Sequence, residues 1–139
     1  MLLGISSRLE HTDPQDWASK HVALDLKSVN FPVSFEDGED TFMAYKKAAD
    51  EAGLIIAEVG VWRNTLAADP QERRKWIDYS IEQLRMADAI GSVCCVNVVG
   101  TPYGPRWDGG YRDNFSPELW DMAVKMIQEI IDTAKPKHT

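Results

Sequence analysis

Residues 87–100, Ala-Asp-Ala-Ile-Gly-Ser-Val-Cys-Cys-Val-Asn-Val-Val-Gly, combine a helix end, a glycine stop and an apolar strand. The apolar run begins shortly after Gly91, which is typical of a unit in which a helix leads into a strand. A similar stretch, Ala-Asp-Glu-Ala-Gly-Leu-Ile-Ile-Ala-Glu-Val, occupies residues 49–59 and aligns Gly53 with Gly91 and Ile55 with Val93. Because this unit occurs twice, the sequence predicts a fold built by repeating it.

Outward from these two units, the chain alternates predicted strands and helices. Three helices begin with Asp-Pro or Ser-Pro, at Asp13, Asp69 and Ser116, as capped helix starts do. Glu72 is expected to complete a capping box with Asp69. Such alternation predicts a parallel sheet with right-handed crossovers. The predicted strands are 2–7, 27–33, 54–62 and 92–99, and the predicted helices are 13–24, 41–52, 70–90 and 116–134.

The predicted strands carry one apolar and one mixed set of alternate residues, which bears on how the sheet closes. An open sheet covered on both faces should be apolar on both, whereas a barrel has one face towards the helices and one towards a narrow interior with a polar mouth. The pattern therefore favours an α/β fold, the (βα)4 parallel half of a TIM-type (β/α)8 barrel, in a single domain over residues 1–139. The apolar set, expected to face the helices, is Leu3, Ile5, Val29, Phe31, Val33, Ile55, Ala57 and Val59. The mixed set includes Ser6, Asn30, Glu58, Gly60, Trp62, Cys95, Asn97 and Val99.

Composition excludes several classes of protein. The net charge of −7 disfavours binding to nucleic acid. No apolar run approaches the roughly 18 residues of a membrane span, and no signal peptide is evident. The adjacent Cys94 and Cys95 fall on a predicted strand and are expected to be reduced thiols, which indicates a cytoplasmic protein.

Four stretches resemble the sugar phosphate isomerase/epimerase family, whose members are xylose-isomerase-like TIM barrels. They are Leu-Gly-Ile-Ser-Ser at 3–7, Leu-Lys-Ser-Val-Asn-Phe-Pro-Val at 26–33, Ala-Gly-Leu-Ile-Ile-Ala-Glu-Val-Gly-Val-Trp at 52–62, and Asp-Ala-Ile-Gly-Ser-Val with Val-Val-Gly within 88–100. The Gly- and Trp-rich loop after Gly100 resembles the family's variable substrate-side loop. The resemblance implies the N-terminal half of such a barrel.

The same resemblance sets expectations for metal binding. Family members typically bind one divalent ion (Mn, Mg, Co or Zn) through Glu, Asp, His and Glu on their fifth to eighth strands. No position of this chain corresponds to those ligands, and His11, His21 and His138 show no ligand spacing. The sequence therefore predicts no metal or other cofactor within this chain, and a divalent metal for a full-length family member.

Candidate substrate-binding residues lie towards the carboxyl ends of the predicted strands, where barrel active sites are built. Glu58 interrupts an apolar strand, so it either binds a sugar hydroxyl or forms a structural pair, with Arg8 for example. Asparagine can bind hydroxyls or cap a loop, tryptophan can stack on a sugar, and arginine can hold a phosphate. The predicted substrate-binding residues are Ser6, Asn30, Glu58, Trp62, Asn64, Asn97, Trp107 and Arg112; catalytic residues are not assigned.

These observations leave several functions open. The first is a segment of a metal-dependent sugar or sugar-phosphate isomerase/epimerase, inactive by itself. The second is a half-barrel module for binding or assembly, and the third is a hydrolase or lyase on the same barrel. The expected partners are a small sugar or sugar phosphate, and either a second copy of the chain or a C-terminal half barrel, because a half barrel has open edges.

Overall fold

A computed structural model describes residues 3–5 and 8–139 of the chain. Its helices are α1 (Pro14–Ala23), α2 (Glu39–Glu51), α3 (Pro70–Ala89) and α4 (Pro117–Ala134), and its strands are β1 (Ser28–Asn30), β2 (Ile55–Val61) and β3 (Cys94–Asn97). Short 3-10 helices occupy Phe35–Asp37 and Arg112–Phe115. The four predicted helices and the last three predicted strands are therefore confirmed, although the strands are shorter than predicted.

The sheet is parallel, and its strands follow the chain order β1-β2-β3. The strand predicted over 2–7 is not formed at residues 3–5; residues 2, 6 and 7 lie outside the described residues. The carbonyl of Leu3 nevertheless accepts hydrogen bonds from the backbone N–H groups of Lys27 (2.9 Å) and Ser28 (3.2 Å). This segment thus runs beside the start of β1 without extending the sheet.

Helix ends follow the sequence signals with one exception. Gly53 and Gly91 adopt positive φ angles of 66° and 68°, which explains why glycine ends both repeated helices. Asp69 caps α3 by accepting a hydrogen bond from the N–H of Gln71 at 2.9 Å. The predicted capping box is wrong, because Glu72 instead accepts a hydrogen bond from the indole N–H of Trp76 at 3.3 Å.

Two hydrophobic clusters form the core. The first cluster packs α1, α2 and the end of α3 against one face of β1 and β2, with Trp17, Val29 and Val59 almost fully buried. The second cluster lies between α3 and α4 and is mainly aliphatic, with Ile81 and Met126 among its members. Cys95 packs against both clusters, so β3 is the element that joins them.

An irregularity in the pairing of β1 and β2 corrects the predicted facing of the strand residues. Val29 pairs with Ile56 and Asn30 with Glu58, so Ala57 is an additional residue in β2. Such a residue changes which side chains before it face the core. Ile56 is therefore buried with Val59, whereas Ile55, predicted to be buried, is exposed.

The predicted helix-facing residues outside β2 have mixed outcomes. Val29 and Phe31 are buried in the first cluster, and Val33 packs against it, as predicted. The prediction is wrong at Leu3, which is exposed, and at Ile5, which lines a cavity. Within the described residues, no helix combines the length and the apolarity needed to cross a membrane.

Candidate functional site

A cavity of about 380 Å³ lies at the carboxyl ends of β1 and β2. The lining residues on one side are Ile5, Arg8, Leu9 and His11, and those on the strand side are Asn30, Phe31, Pro32, Glu58, Gly60 and Trp62. Active sites of parallel barrels occupy this end of the strands. The polar or charged side chains that line the cavity are Arg8, His11, His21, Asn30 and Glu58, and its aromatic side chains are Trp17, Phe31 and Trp62.

Asn30 and Glu58 form the polar centre of this cavity. They are direct neighbours in the register of β1 and β2, so their side chains share one face of the sheet. Glu58 is partly buried. A carboxylate beside an amide can accept a hydrogen bond from one hydroxyl while the amide donates to another, which suits a polyhydroxylated ligand.

Two histidines, His11 and His21, line the cavity. His21 is buried, and its Nδ1–H donates to the carbonyl oxygen of Trp17 at 2.8 Å. His11 donates from Nδ1 to the carbonyl oxygen of Leu9 at 2.7 Å, and its Nε2 accepts from the hydroxyl of Tyr45 at 2.9 Å. Burial raises the pKa of Tyr45, aided by nearby acidic side chains, which keeps the proton on this hydroxyl. These hydrogen bonds fix the orientation of both imidazole rings.

The side chains that line the cavity of Glu58 do not fit a divalent metal site. Both ring nitrogens of His11 and the Nδ1 of His21 already have hydrogen-bond partners, which leaves Nε2 of His21 and the carboxylate of Glu58, too few ligands for a metal site. Over residues 3–5 and 8–139, no group of three or more His, Cys, Asp or Glu side chains is arranged to hold a metal ion. A metal at this cavity would need ligands other than these.

Asn97 does not join the cavity of Glu58, which corrects the predicted common face. In the register of β2 and β3, Glu58 pairs with Cys94 and Val61 pairs with Asn97. Because side chains alternate along a strand, Asn97 faces the side opposite to Glu58. It lines a separate, mainly apolar cavity of about 360 Å³ near α3 and α4, where its Oδ1 is buried without a hydrogen-bond partner among the described residues.

Asn64 connects the segments that follow β2 and β3. Its side-chain amide donates to the carbonyl of Thr101 at 2.9 Å, and its Oδ1 accepts from the N–H of Thr101 at 3.0 Å. Gly100 lies against this side chain with φ of 83°, and a Cβ there would fall 2.2 Å from Oδ1. Asn64 thus positions both loops at the end of the sheet that bears the cavity.

The remaining predicted site residues lie in different places. Trp62 lines the cavity of Glu58 and is half exposed. Trp107 lies in a neighbouring cleft that it shares with Trp62 and Trp76. Arg112 is exposed at the start of the 3-10 helix Arg112–Phe115 and does not line the cavity, whereas Ser6 lies outside the described residues.

Sequence reasoning missed the histidines and Trp76 as parts of these sites. His21 follows Trp17 by four positions in α1, a spacing that places both on one helix face. Its place in the cavity could have been found from that spacing. The position of His11 depends on its contact with Tyr45, which is 34 residues away in the sequence and has no local signal.

Comparison with known proteins supports the fold. No protein-family model matches the chain, and no curated protein matches it in sequence. Among solved structures, the chain is similar to a crystal structure from Rhodospirillum rubrum ATCC 11170 of a protein provisionally named a xylose isomerase, with a TM-score of 0.61 and 20% sequence identity. The match covers 88% of this chain and 45% of that chain. The chain therefore has the fold of half a TIM barrel of the xylose-isomerase-like type.

Proposed function

We propose that this chain supplies half of the substrate pocket of an isomerase or epimerase that acts on a sugar or a sugar phosphate. The observation that carries the proposal is the Asn30–Glu58 pair, which lies in a cavity at the carboxyl ends of the strands. In a parallel barrel this is the end where substrates bind. The fold, similar to part of a protein named as a xylose isomerase, agrees with this assignment.

In this proposal each side chain has a definite task. Glu58 accepts hydrogen bonds from sugar hydroxyls, Asn30 orients a neighbouring hydroxyl, and Trp62 covers one side of the ligand. The reaction itself moves a proton between adjacent carbons, for which a carboxylate is a suitable base. Metal dependence of a complete enzyme remains a prediction from the family resemblance. The described residues themselves do not fit a metal site, so the ligands would have to come from outside them.

Sugar binding to the chain tests this proposal. NMR titrations with D-xylose, D-fructose and glucose 6-phosphate should shift the signals of Asn30 and the indole of Trp62. Glu58→Gln should weaken binding about tenfold or more, since it replaces a charged acceptor. Glu51→Gln is the matched control, because it removes an exposed carboxylate of α2 that pairs with Lys47 at 3.7 Å. Equal binding by both variants would contradict the proposal.

A second candidate function, assembly with another half barrel, has its own support in α4. This helix buries one apolar stripe that includes Met126 and Ile130, but it carries a second stripe of apolar side chains one position further on. We refer to this second stripe as the open face of α4; its exposed members are Trp120, Ile127 and Ile131. A helix that is apolar on two sides is typically covered on both.

A second copy of this chain is the occupant that we propose for the open face. One chain covers 45% of the length of the similar solved structure, so two copies match about one complete barrel. Ile131→Glu should shift the chain towards monomer in light-scattering measurements. Val22→Glu, at an exposed position of α1, is the control and should leave association unchanged. A monomeric parent chain at high concentration would contradict this candidate function.

A further inference from the structure

A cleft lined by three tryptophans lies beside the cavity of Glu58. The cleft has a volume of about 330 Å³, and its lining residues are Trp62, Arg63, Asn64, Glu72, Trp76 and Trp107. These six residues define what we call the tryptophan cleft. Trp62 also lines the cavity of Glu58, so the two spaces meet at one indole ring.

The tryptophan cleft is assembled from three segments of the chain. Residues 62–64 directly follow β2, Glu72 and Trp76 are one turn apart in α3, and Trp107 belongs to the loop between β3 and α4. The indole N–H of Trp76 donates to the carboxylate of Glu72 at 3.3 Å, which orients both side chains. The cleft therefore extends the same end of the sheet that bears the cavity of Glu58.

Arg63 lines the cleft, and its guanidinium lies against two aromatic rings. Its guanidinium carbon lies 5.0 Å from the ring centre of Trp76 and 5.1 Å from that of Tyr79. One terminal nitrogen donates to the carbonyl of Trp62 at 3.0 Å. Its Nε is buried and has no hydrogen-bond partner among the described residues, so this donor is unsatisfied within the described part of the chain.

Two of the indole rings remain open to a ligand. Trp62 is 50% exposed and Trp107 is 38% exposed, although indole is among the most favourable side chains to bury. Adjacent exposed aromatic rings around a concave surface with a few polar groups are typical of a ligand site. Flat apolar faces with hydrogen-bonding groups at their edges match a sugar ring, which has C–H faces and hydroxyls around its rim.

The cleft is lined by charges of both signs, from Glu72 and Arg63, and the ammonium of Lys75 lies 4.4 Å from the ring centre of Trp76. A phosphate in this space would lie near the carboxylate of Glu72, whereas the exposed indole rings present uncharged faces that suit a neutral sugar ring. We propose that the tryptophan cleft is a second carbohydrate subsite for a neutral sugar ring, continuous with the cavity of Glu58 through Trp62. The ligand is then a saccharide or glycoside of at least two rings. This inference rests on the proposed function, in which the first ring occupies the cavity of Glu58.

Calorimetric or NMR titrations of the full 139-residue chain with D-xylose, xylobiose and cellobiose test the inference. The disaccharides should bind about tenfold more tightly than xylose, because they fill both spaces. Trp107→Ala should remove this advantage, since Trp107 lines the tryptophan cleft and not the cavity of Glu58. Trp107→Phe should keep most of it. Phe115→Ala, which removes an exposed aromatic ring that lines neither space, is the control and should have no effect.

The outcomes separate this inference from the proposed function. Equal affinities for xylose and the disaccharides, unchanged in Trp107→Ala, overturn the second subsite while the first stands. Sugar binding that is lost in Trp107→Ala but unaffected by Glu58→Gln supports the cleft and overturns the proposed function. Preferential displacement of cellobiose by glucose 6-phosphate, with shifts at Arg63, overturns the assignment of a neutral ligand. If no saccharide binds, both are overturned.

Discussion

The two hydrophobic clusters differ in how completely they are covered. In the first cluster, Trp17 is 2% exposed and meets Phe31 and Tyr45 edge to face, with ring centres 6.4 and 5.5 Å apart. Beside the second cluster, Phe115 is 88% and Trp120 is 70% exposed. The core near α1 and α2 therefore closes around an aromatic group, whereas the side near α4 leaves an indole and a phenyl ring in solvent.

Trp17→Ala should have the largest effect, because it breaks the covered side of this comparison. Removing a buried indole from a packed aromatic group costs about 3 to 5 kcal/mol in the free energy of unfolding. Trp120→Ala removes the same side chain from the open face of α4 and should change the stability of the dissociated chain by about 0.5 kcal/mol or less. Urea denaturation of both variants at low protein concentration measures the difference. Similar losses under these conditions would show that the two clusters do not differ in how they are covered within one chain.

Gly100→Ala compared with Gly91→Ala should give the next largest effect. Both glycines have positive φ angles, so alanine costs about 1 kcal/mol or more at either position. A Cβ at Gly91 meets open space, whereas at Gly100 it would fall 2.2 Å from Oδ1 of Asn64. Gly100→Ala should therefore lower the free energy of unfolding by a further 1 to 3 kcal/mol, roughly, and release Thr101 from Asn64. Thermal unfolding and the amide signal of Thr101 check both effects, and equal losses would contradict the tight approach.

Residues 137–139, which follow α4, should lose their hydrogen bonds to Asp88 of α3 in acid. Oδ1 of Asp88 accepts hydrogen bonds from the backbone N–H groups of Lys137, His138 and Thr139, and these bonds, that of His138 first, lower the pKa of Asp88. A lowered pKa means that the stabilisation is complete above the ordinary aspartate pKa and is lost as pH falls through the lowered value.

NMR measurements of the amides of residues 137–139 against pH test this expectation. The signals should move to disordered positions only in acid, with a midpoint below that of an ordinary aspartate. Asp88→Ala should free the same residues at every pH, and Asp50→Ala, at the aligned position of the first unit, should not. A midpoint at or above the ordinary aspartate value would contradict the assigned hydrogen bonds.

The smallest expected effect is chemical and concerns the strand between the clusters. Burial, with the charges of Cys94 and Glu58, raises the pKa of Cys95 to about 11. At pH 8 only about one thiol in a thousand is then ionised, so iodoacetamide should modify the exposed Cys94 at least about tenfold faster. Mass spectrometry of the parent, Cys94→Ser and Cys95→Ser chains checks the rates. Equal rates would show that Cys95 is not held between the two clusters.

Local signals predicted the elements of this fold but not their precise facing. Asp13, Asp69 and Ser116 mark the helix starts, and Gly53 and Gly91 mark two helix ends, because capping and left-handed backbone depend on adjacent residues alone. Strand edges were less accurate, since pairing depends on neighbours that are distant in sequence. The fold class follows from element order, which needs no such detail.

The candidate site was predicted only in part for the same reason. Asn30 and Glu58 share a face as predicted, whereas Asn97 lies on the opposite face. The residues of β3 alone do not determine its register against β2, so this difference could not be predicted from them. Asn64, predicted to bind substrate, lines the tryptophan cleft, and its side chain also holds Thr101, a contact over 37 residues that has no local signal. Trp76 joins the tryptophan cleft through the fold of α3 beside β2, which no local pattern reports.

The additional residue Ala57 means that the two repeated helix-to-strand units are not interchangeable parts. Replacing residues 49–59 by the equally long residues 87–97 would preserve the helix, the glycine and the apolar strand. The new strand would lack the side chains of Ile56, Glu58 and Val59, which the irregular pairing with β1 places in the core and in the cavity. Deleting Ala57 alone would make Ile56 and Glu58 neighbours in β2, and regular alternation would then place Ile56 and Val59 in the core while Glu58 faces the cavity. An irregular pairing with β1 therefore distinguishes β2, which lines the cavity of Glu58, from β3, which pairs with β2 in a regular register.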